Sequence, residues 1–193
     1  MNIKKIILEN FTEHQEIYEA TLLANFDDIE KISKVLSASL LNSGTIFWCG
    51  NGGSASDSQH LAAELLGRFK KNRRPLRSMS LNADTSVLTC ISNDFNYKDI
   101  FARQIEALGR PGDVLVGIST SGNSDNVFSS IIKAKEIGLT TVGLLGKGGG
   151  KMKSVLDLPL IISSETTARI QEMHIFIGHI LCDLIEAELG FER

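Results

Sequence analysis

Five short runs rich in apolar residues recur along the chain: TIFWCG (45 to 50), LRSMSL (76 to 81), DVLVGIS (113 to 119), TTVGLLG (140 to 146) and LDLPLII (156 to 162). Most lack the strict polar and apolar alternation of a strand that faces water on one side, so they fit strands buried on both faces. Segments of helical periodicity lie between and after them, at 54 to 67, within 84 to 108, at 124 to 137 and at 166 to 189. Strands alternating with helices predict an α/β domain, a five-stranded parallel sheet sandwiched by helices with right-handed crossovers. An N-terminal helical pair is predicted ahead of it, roughly 5 to 24 and 27 to 42, the second marked by Ile29, Ile32, Val35, Leu36 and Leu40. At 193 residues the chain is read as one domain, residues 1 to 193, with the helices of about 1 to 43 packing on the core.

Parallel α/β sheets bind ligands beyond the carboxyl ends of their strands. Two loops leave strand ends with unusual chemistry. The first, Gly50-Asn51-Gly52-Gly53-Ser54-Ala55, formally satisfies the G-x-G-x-x-A dinucleotide pattern. However, the next strand ends in Ser80, Leu81 and Asn82, with no acid placed for a ribose. A G-x-x-x-x-G-K-[ST] loop is also missing, which argues against a nucleoside triphosphate. The second loop, Ser119-Thr120-Ser121-Gly122-Asn123-Ser124, puts four hydroxyls before a helix start, where unpaired backbone amides collect. A helix cap needs only one hydroxyl. The ligand this favours is a small phosphorylated molecule held between two serine-bearing loops.

Beyond the loops, His60 and Glu64 lie ~40° apart around a helix and ~6 Å apart along it, so they share a face, as a surface pair or as part of a site. In the last helix Arg169, Gln171, Glu172, His174 and His179 are polar islands in an apolar element. Gln171 and His179 are separated by ~80° and ~12 Å, a wide span for one small ion. Either the two side chains lean together or they serve sites in different subunits. That helix is apolar around most of its circumference, which predicts self-association.

Composition narrows the class further. A net charge of −3 argues against a general nucleic-acid binder, and the basic run Arg68, Lys70, Lys71, Arg73, Arg74, Arg77 reads as a solvated loop, an anion-steering patch or a bridge to a neighbouring subunit. No apolar run approaches the ~18 residues of a membrane span, and Glu9 and Asn10 interrupt the first apolar stretch well short of a signal peptide. A cytoplasmic protein without membrane or nucleic-acid partners is expected. Cys49, Cys90 and Cys182 are odd in number and widely spaced, so they read as small core residues.

The segments GNGGSASDSQHLAAE, SNDF, LGRPGDVLVGISTSGNS and ARIQEMHIFIGH together identify a resemblance. The chain resembles the sugar-isomerase (SIS) domain family, and within it the phosphoheptose isomerases, over nearly its whole length. The resemblance implies a homotetramer of flavodoxin-like SIS domains with active sites at subunit interfaces. It implies isomerisation of sedoheptulose 7-phosphate to D-glycero-D-manno-heptose 7-phosphate, a step toward the activated heptose of the lipopolysaccharide core. Asn51, Gly52, Ser54, Arg68, Asp94, Ser119, Thr120, Ser121, Ser124 and Gln171 match substrate and phosphate positions. His60, Glu64, Gln171 and His179 match ligands of one zinc ion per subunit, and Glu64 and His179 match the proposed acid and base. Other SIS proteins act on or sense different phosphosugars. A noncatalytic branch binds the bacterial replication initiator and lacks counterparts of Glu64 and His179, both present here. Ala168 departs from the isomerase pattern, where some members carry an aspartate.

Overall fold

The computed structural model describes residues 2–191. Its elements run α1 (Ile3–Leu41), β1 (Ile46–Gly50), α2 (Gly53–Leu66), β2 (Ser78–Ser80), α3 (Thr85–Asp94), α4 (Ala102–Leu108), β3 (Val114–Ser119), α5 (Asp125–Ile137), β4 (Thr140–Gly146), β5 (Leu158–Ile162) and α6 (Thr167–Glu188). All strand pairs are parallel, in the order β2-β1-β3-β4-β5. Alternate strand residues feed two cores. Ile46, Trp48, Val116, Ile118, Leu144 and Leu160 pack with α1, α2 and α6. Phe47, Cys49, Leu115 and Leu145 pack with α3, α4 and α5. The predicted sandwich is therefore present, each core lying between the sheet and one helical layer.

The predicted N-terminal pair is instead one continuous helix of 39 residues, ~58 Å long at 1.5 Å per residue. Asn25, at the expected break, is buried and donates its amide to the Thr21 carbonyl one turn back, so it satisfies the helix rather than capping a new one. No glycine or proline interrupts the segment. The helix begins where the Asn2 side chain accepts the Lys5 amide and is capped at Asn42, after which Ser43, with a φ of 65°, turns the chain out. Its buried apolar residues, Ile29, Ile32, Leu36 and Leu40, all lie in its C-terminal half. The N-terminal half touches the start of α6 through His14 to Glu172 (2.7 Å) and through the Arg169 guanidinium to the Asn10 carbonyl (2.8 Å). It leaves Leu8 66% and Phe11 73% exposed, and Leu23 at the middle of the helix is 86% exposed.

Two further expectations change. Cys49 and Cys182 are buried and burial pushes both thiols up to about 12, but Cys90 is exposed on α3. The basic run is not a uniformly solvated loop, because the Arg73 side chain is 0% exposed and pairs with the buried Glu186 of α6 at 2.9 Å. His174 is a core histidine, its Nε2 3.0 Å from the Leu145 carbonyl oxygen, and burial pushes it down to about 4. No described helix is long and apolar enough to cross a membrane.

Candidate active site

The strand order reverses at β1, which has β2 on one side and β3 on the other. A crevice opens at such a switch point beyond the carboxyl ends of the strands. Both serine-bearing loops leave from there, the first after β1 and the second after β3.

The first loop turns through Gly52, whose φ of 57° favours glycine. Gly50 has no room for a side chain, since a Cβ would come 2.6 Å from the Ser54 carbonyl oxygen. Asn82 brackets Gly50, accepting from its amide (3.2 Å) and donating to its carbonyl (2.9 Å). The residue in the place where a dinucleotide site carries an acid is thus engaged in holding the loop.

In the second loop Ser119 and Ser124 hydroxyls lie 3.0 Å apart, while the Asn123 amide N–H donates to Ser121 Oγ (3.2 Å). Ser124 is the N-cap of α5 but makes no side-chain capping bond. Val127 N–H donates to Asn126 Oδ1 (2.9 Å), but the Asp125 and Asn126 amides at the start of α5 are not capped by Ser124, in the setting that favours an anion. The turn is braced from behind by the glycine tract after β4: Lys151 N–H donates to Asn123 Oδ1 (3.0 Å) and Met152 N–H to the Gly122 carbonyl (3.1 Å).

Asn126, which no sequence pattern singles out, joins the two loops. Its amide and that of Asn51 exchange two hydrogen bonds of 2.8 Å, and the Tyr97 hydroxyl donates to Asn51 Oδ1 at 3.0 Å. Asn126 is buried in the first turn of α5, where a polar residue reads in sequence as an ordinary helix-start residue.

A second group of polar side chains lies in the groove between α2 and α6. The two helices run parallel, with Gln171 against Gly53 at one end and Glu186 against residues 69 to 71 at the other. Midway, Gly178 lets α6 close on α2, since a Cβ there would sit 2.6 Å from Leu61. Beside this contact His60 Nε2 is 3.0 Å from His179 Nε2 and 3.1 Å from Glu64 Oε1. Burial holds His179 below the ordinary histidine range, with the His60 charge acting in the same direction and Glu64 against it. Asp57, one turn before His60, is raised by burial, and one of its carboxylate oxygens is buried without a hydrogen-bond partner.

The donor atoms of His60, Glu64 and His179 all lie within 4.8 Å of one another. Tetrahedral zinc with nitrogen and oxygen ligands at ~2.0–2.2 Å spaces those ligands ~3.3–3.6 Å apart. The three side chains fit such an ion. Gln171 does not join them in the chain: its amide lies at Gly53, which precedes His60 by seven residues, ~10 Å along α2. Arg68 follows the opposite end of α2, ~20 Å along the axis from Ser54, so one subunit does not bring it to the loops. Asp94 ends α3, where it accepts from Asn93 (2.8 Å) and from the Cys90 thiol (3.5 Å). The structure therefore gathers Asn51, Gly52, Ser54, Ser119, Thr120, Ser121, Ser124 and Gln171 at the switch point, and His60, Glu64 and His179 farther along the groove.

Comparison with known proteins places these features in a family. The SIS domain model matches residues 9–146. A phosphoheptose isomerase of Helicobacter pylori strain P12 is 51% identical over 191 residues, covering 99% of this chain and 100% of the relative. One from Clostridium acetobutylicum is 52% identical over 167 residues, 86% of this chain and 85% of the relative. The solved phosphoheptose isomerase of Neisseria gonorrhoeae superposes with a TM-score of 0.92 at 39% identity, covering 96% of this chain and 100% of that one. That of Francisella tularensis gives 0.94 at 33% identity, covering 97% and 100%. With sequence and fold agreeing over nearly the whole length, the chain belongs to the SIS-domain family, on its phosphoheptose isomerase branch.

Proposed function

We propose that this chain is a sugar-phosphate isomerase that converts sedoheptulose 7-phosphate to D-glycero-D-manno-heptose 7-phosphate, supplying the activated heptose of lipopolysaccharide. The carrying observation is that a loop pair suited to a phosphate and a His-Glu-His group suited to proton transfer occur in one chain, a set of turns apart. Isomerisation of a ketose phosphate needs both, one group to hold the phosphate and one to move the protons at the carbonyl end.

In the reaction a proton leaves C1 of the ketose, the C1–C2 enediol forms, and a proton returns to C2 while the C2 oxygen becomes a hydroxyl and the C1 oxygen a carbonyl. One group must take and return the carbon proton and another must serve the oxygens. Glu64 is the base in this reading and His179, which burial holds below the ordinary histidine range, exchanges the oxygen proton, in either order. The two loops hold the phosphate by backbone amides and serine hydroxyls, and the Asn51–Asn126 pair keeps them in register. His60, Glu64 and His179 would hold zinc, which when bound supplies Lewis-acid polarisation of the sugar carbonyl. Turnover of sedoheptulose 7-phosphate should be lost on chelation and restored by zinc. Absence of turnover with and without zinc would move the reading to another phosphosugar or to a protein-binding role.

The two residue groups are far apart within one chain, and the N-terminal half of α1 carries exposed apolar side chains, including Leu8 and Phe11. Both facts favour an oligomer, in this reading a homotetramer. The phosphate loops of one subunit then face the His60, Glu64 and His179 group of a neighbour, with Gln171, Arg68 and Asp94 closing the gap. Complementation tests this. A Ser119→Ala/Ser121→Ala chain and a Glu64→Gln chain, each nearly inactive, should regain about one quarter of wild-type activity when refolded together at equal amounts, because a shared site draws one half from each chain at random. No recovery above the sum of the two would mean that each chain builds its own site.

A further inference from the structure

The Glu186 carboxylate, near the end of α6, gathers three successive backbone amides: Phe69 N–H (3.2 Å), Lys70 N–H (3.1 Å) and Lys71 N–H (3.1 Å). It also accepts from Arg73 Nε at 2.9 Å. The Arg73 guanidinium in turn donates to the carbonyls of Glu64 (2.9 Å) and Leu65 (2.8 Å), in the last turn of α2. One buried ion pair therefore joins the end of the helix that carries His60 and Glu64 to the helix that carries His179. A buried carboxylate and guanidinium this fully bonded define one geometry rather than several.

The loop so fixed presents Phe69. Its ring stacks on the His179 imidazole with centroids 5.6 Å apart and planes 15° from parallel. His179 also meets the His60 ring edge-on, at 5.0 Å and 60°. A stacked neighbour restricts rotation about the imidazole's terminal torsion, which is otherwise broad. Nothing else among the described residues is hydrogen-bonded to the His179 ring besides His60. The ring's direction therefore rests on the His60 contact and on stacking against Phe69.

We propose that Phe69, locked by the Arg73–Glu186 pair, is a positioning residue that fixes the plane of the His179 ring and so the direction of its Nε2 within the His60, Glu64 and His179 group. The proposal rests on the reading of His179 given above. It also assigns a role to part of the basic run, whose Arg73 faces inward instead of toward an anion.

Removing Arg73 or Glu186 leaves a buried partner charge unpaired and the variant risks not folding, so the test uses Phe69. Phe69→Leu keeps an apolar side chain but no flat face, and Phe69→Tyr keeps the face. Two quantities are read: kcat and KM separately on sedoheptulose 7-phosphate, and the order of the His179 ring from ¹³C relaxation of its ring carbons. Phe69→Leu should lower kcat by about 10- to 100-fold, the range for partners that orient functional histidines. KM should stay within about twofold, as expected when ground-state phosphate contacts are untouched. Ring order should fall in Phe69→Leu, and Phe69→Tyr should retain both properties. A folded Phe69→Leu protein with wild-type kcat and an ordered His179 ring overturns the proposal. So does a Phe69→Tyr protein that loses as much as Phe69→Leu, which would make Phe69 a core filler. If the wild type turns over no phosphosugar, the isomerase reading fails, while ring order in the two variants still decides the positioning claim.

Discussion

Glu64→Gln is expected to lower kcat on sedoheptulose 7-phosphate by about 10² to 10⁴, the usual cost of removing a general base. The loss should fall on kcat and kcat/KM alike, since the amide cannot take the C1 proton but leaves the phosphate loops intact. The Glu64 carboxylate oxygen is 3.1 Å from His60 Nε2, and a Gln amide oxygen can keep that contact if the imidazole donates. The protein should therefore fold as the wild type does. The same substitution exchanges an anionic zinc ligand for a neutral one, so zinc affinity should fall with it. Single-turnover kinetics at saturating zinc separates the two effects. A Glu64→Gln enzyme with wild-type kcat under those conditions removes Glu64 from the proton-transfer step.

The second large effect is expected at Gly122. Its φ is 63°, and a Cβ would lie 2.0 Å from the carbonyl oxygen of Gly149, a backbone atom that cannot swing away. Gly122→Ala must displace either the serine loop or the glycine tract behind it. A shift of about 1 Å at a substrate-positioning element can cost on the order of 10²-fold in rate, and kcat/KM should drop by that amount. Gly148→Ala is the matched control. Gly148 has a φ of 73° but nothing within 4 Å of an added Cβ, so it carries the strain without the collision. That control should lose stability by about 1 kcal/mol and keep its activity. Equal losses in both variants would show that backbone strain, not the close approach, matters at the second loop.

The strands and most helices were legible because burial on both faces of a parallel sheet leaves an unusual pattern, and the observed β3 and β4 begin and end within a residue of the expected spans. The single α1 was not legible. Asn25, Asp27 and Asp28 look like a helix boundary, and only the Asn25 bond to the Thr21 carbonyl shows that the helix absorbs them. The serine loops and the His60, Glu64 pair were legible for local reasons, hydroxyls at a strand end and a helical spacing of four. Asn126, Phe69 and Glu186 were not. Each acts on a residue from 75 to 117 positions away, Asn126 on Asn51 and Glu186 on Phe69, and no local pattern encodes such a partner. The separation of Gln171 from His179 was visible as a distance along a helix. The structure adds that Gln171 lies with the first loop, because α2 and α6 run parallel rather than crossing.

The close approach of Gly178 to Leu61 also limits how this sequence can drift. The spacing between α2 and α6 is set at a point with no side chain on one helix and a leucine on the other, one residue from His179 and one from His60. A larger residue at 178 is tolerable only with a smaller one at 61, and any mismatch changes the His60 to His179 separation before it changes anything else. The groove is therefore conditioned by a pair of apolar positions that never meet the sugar. In divergent relatives, activity can be lost or retuned there while every polar site residue stays the same.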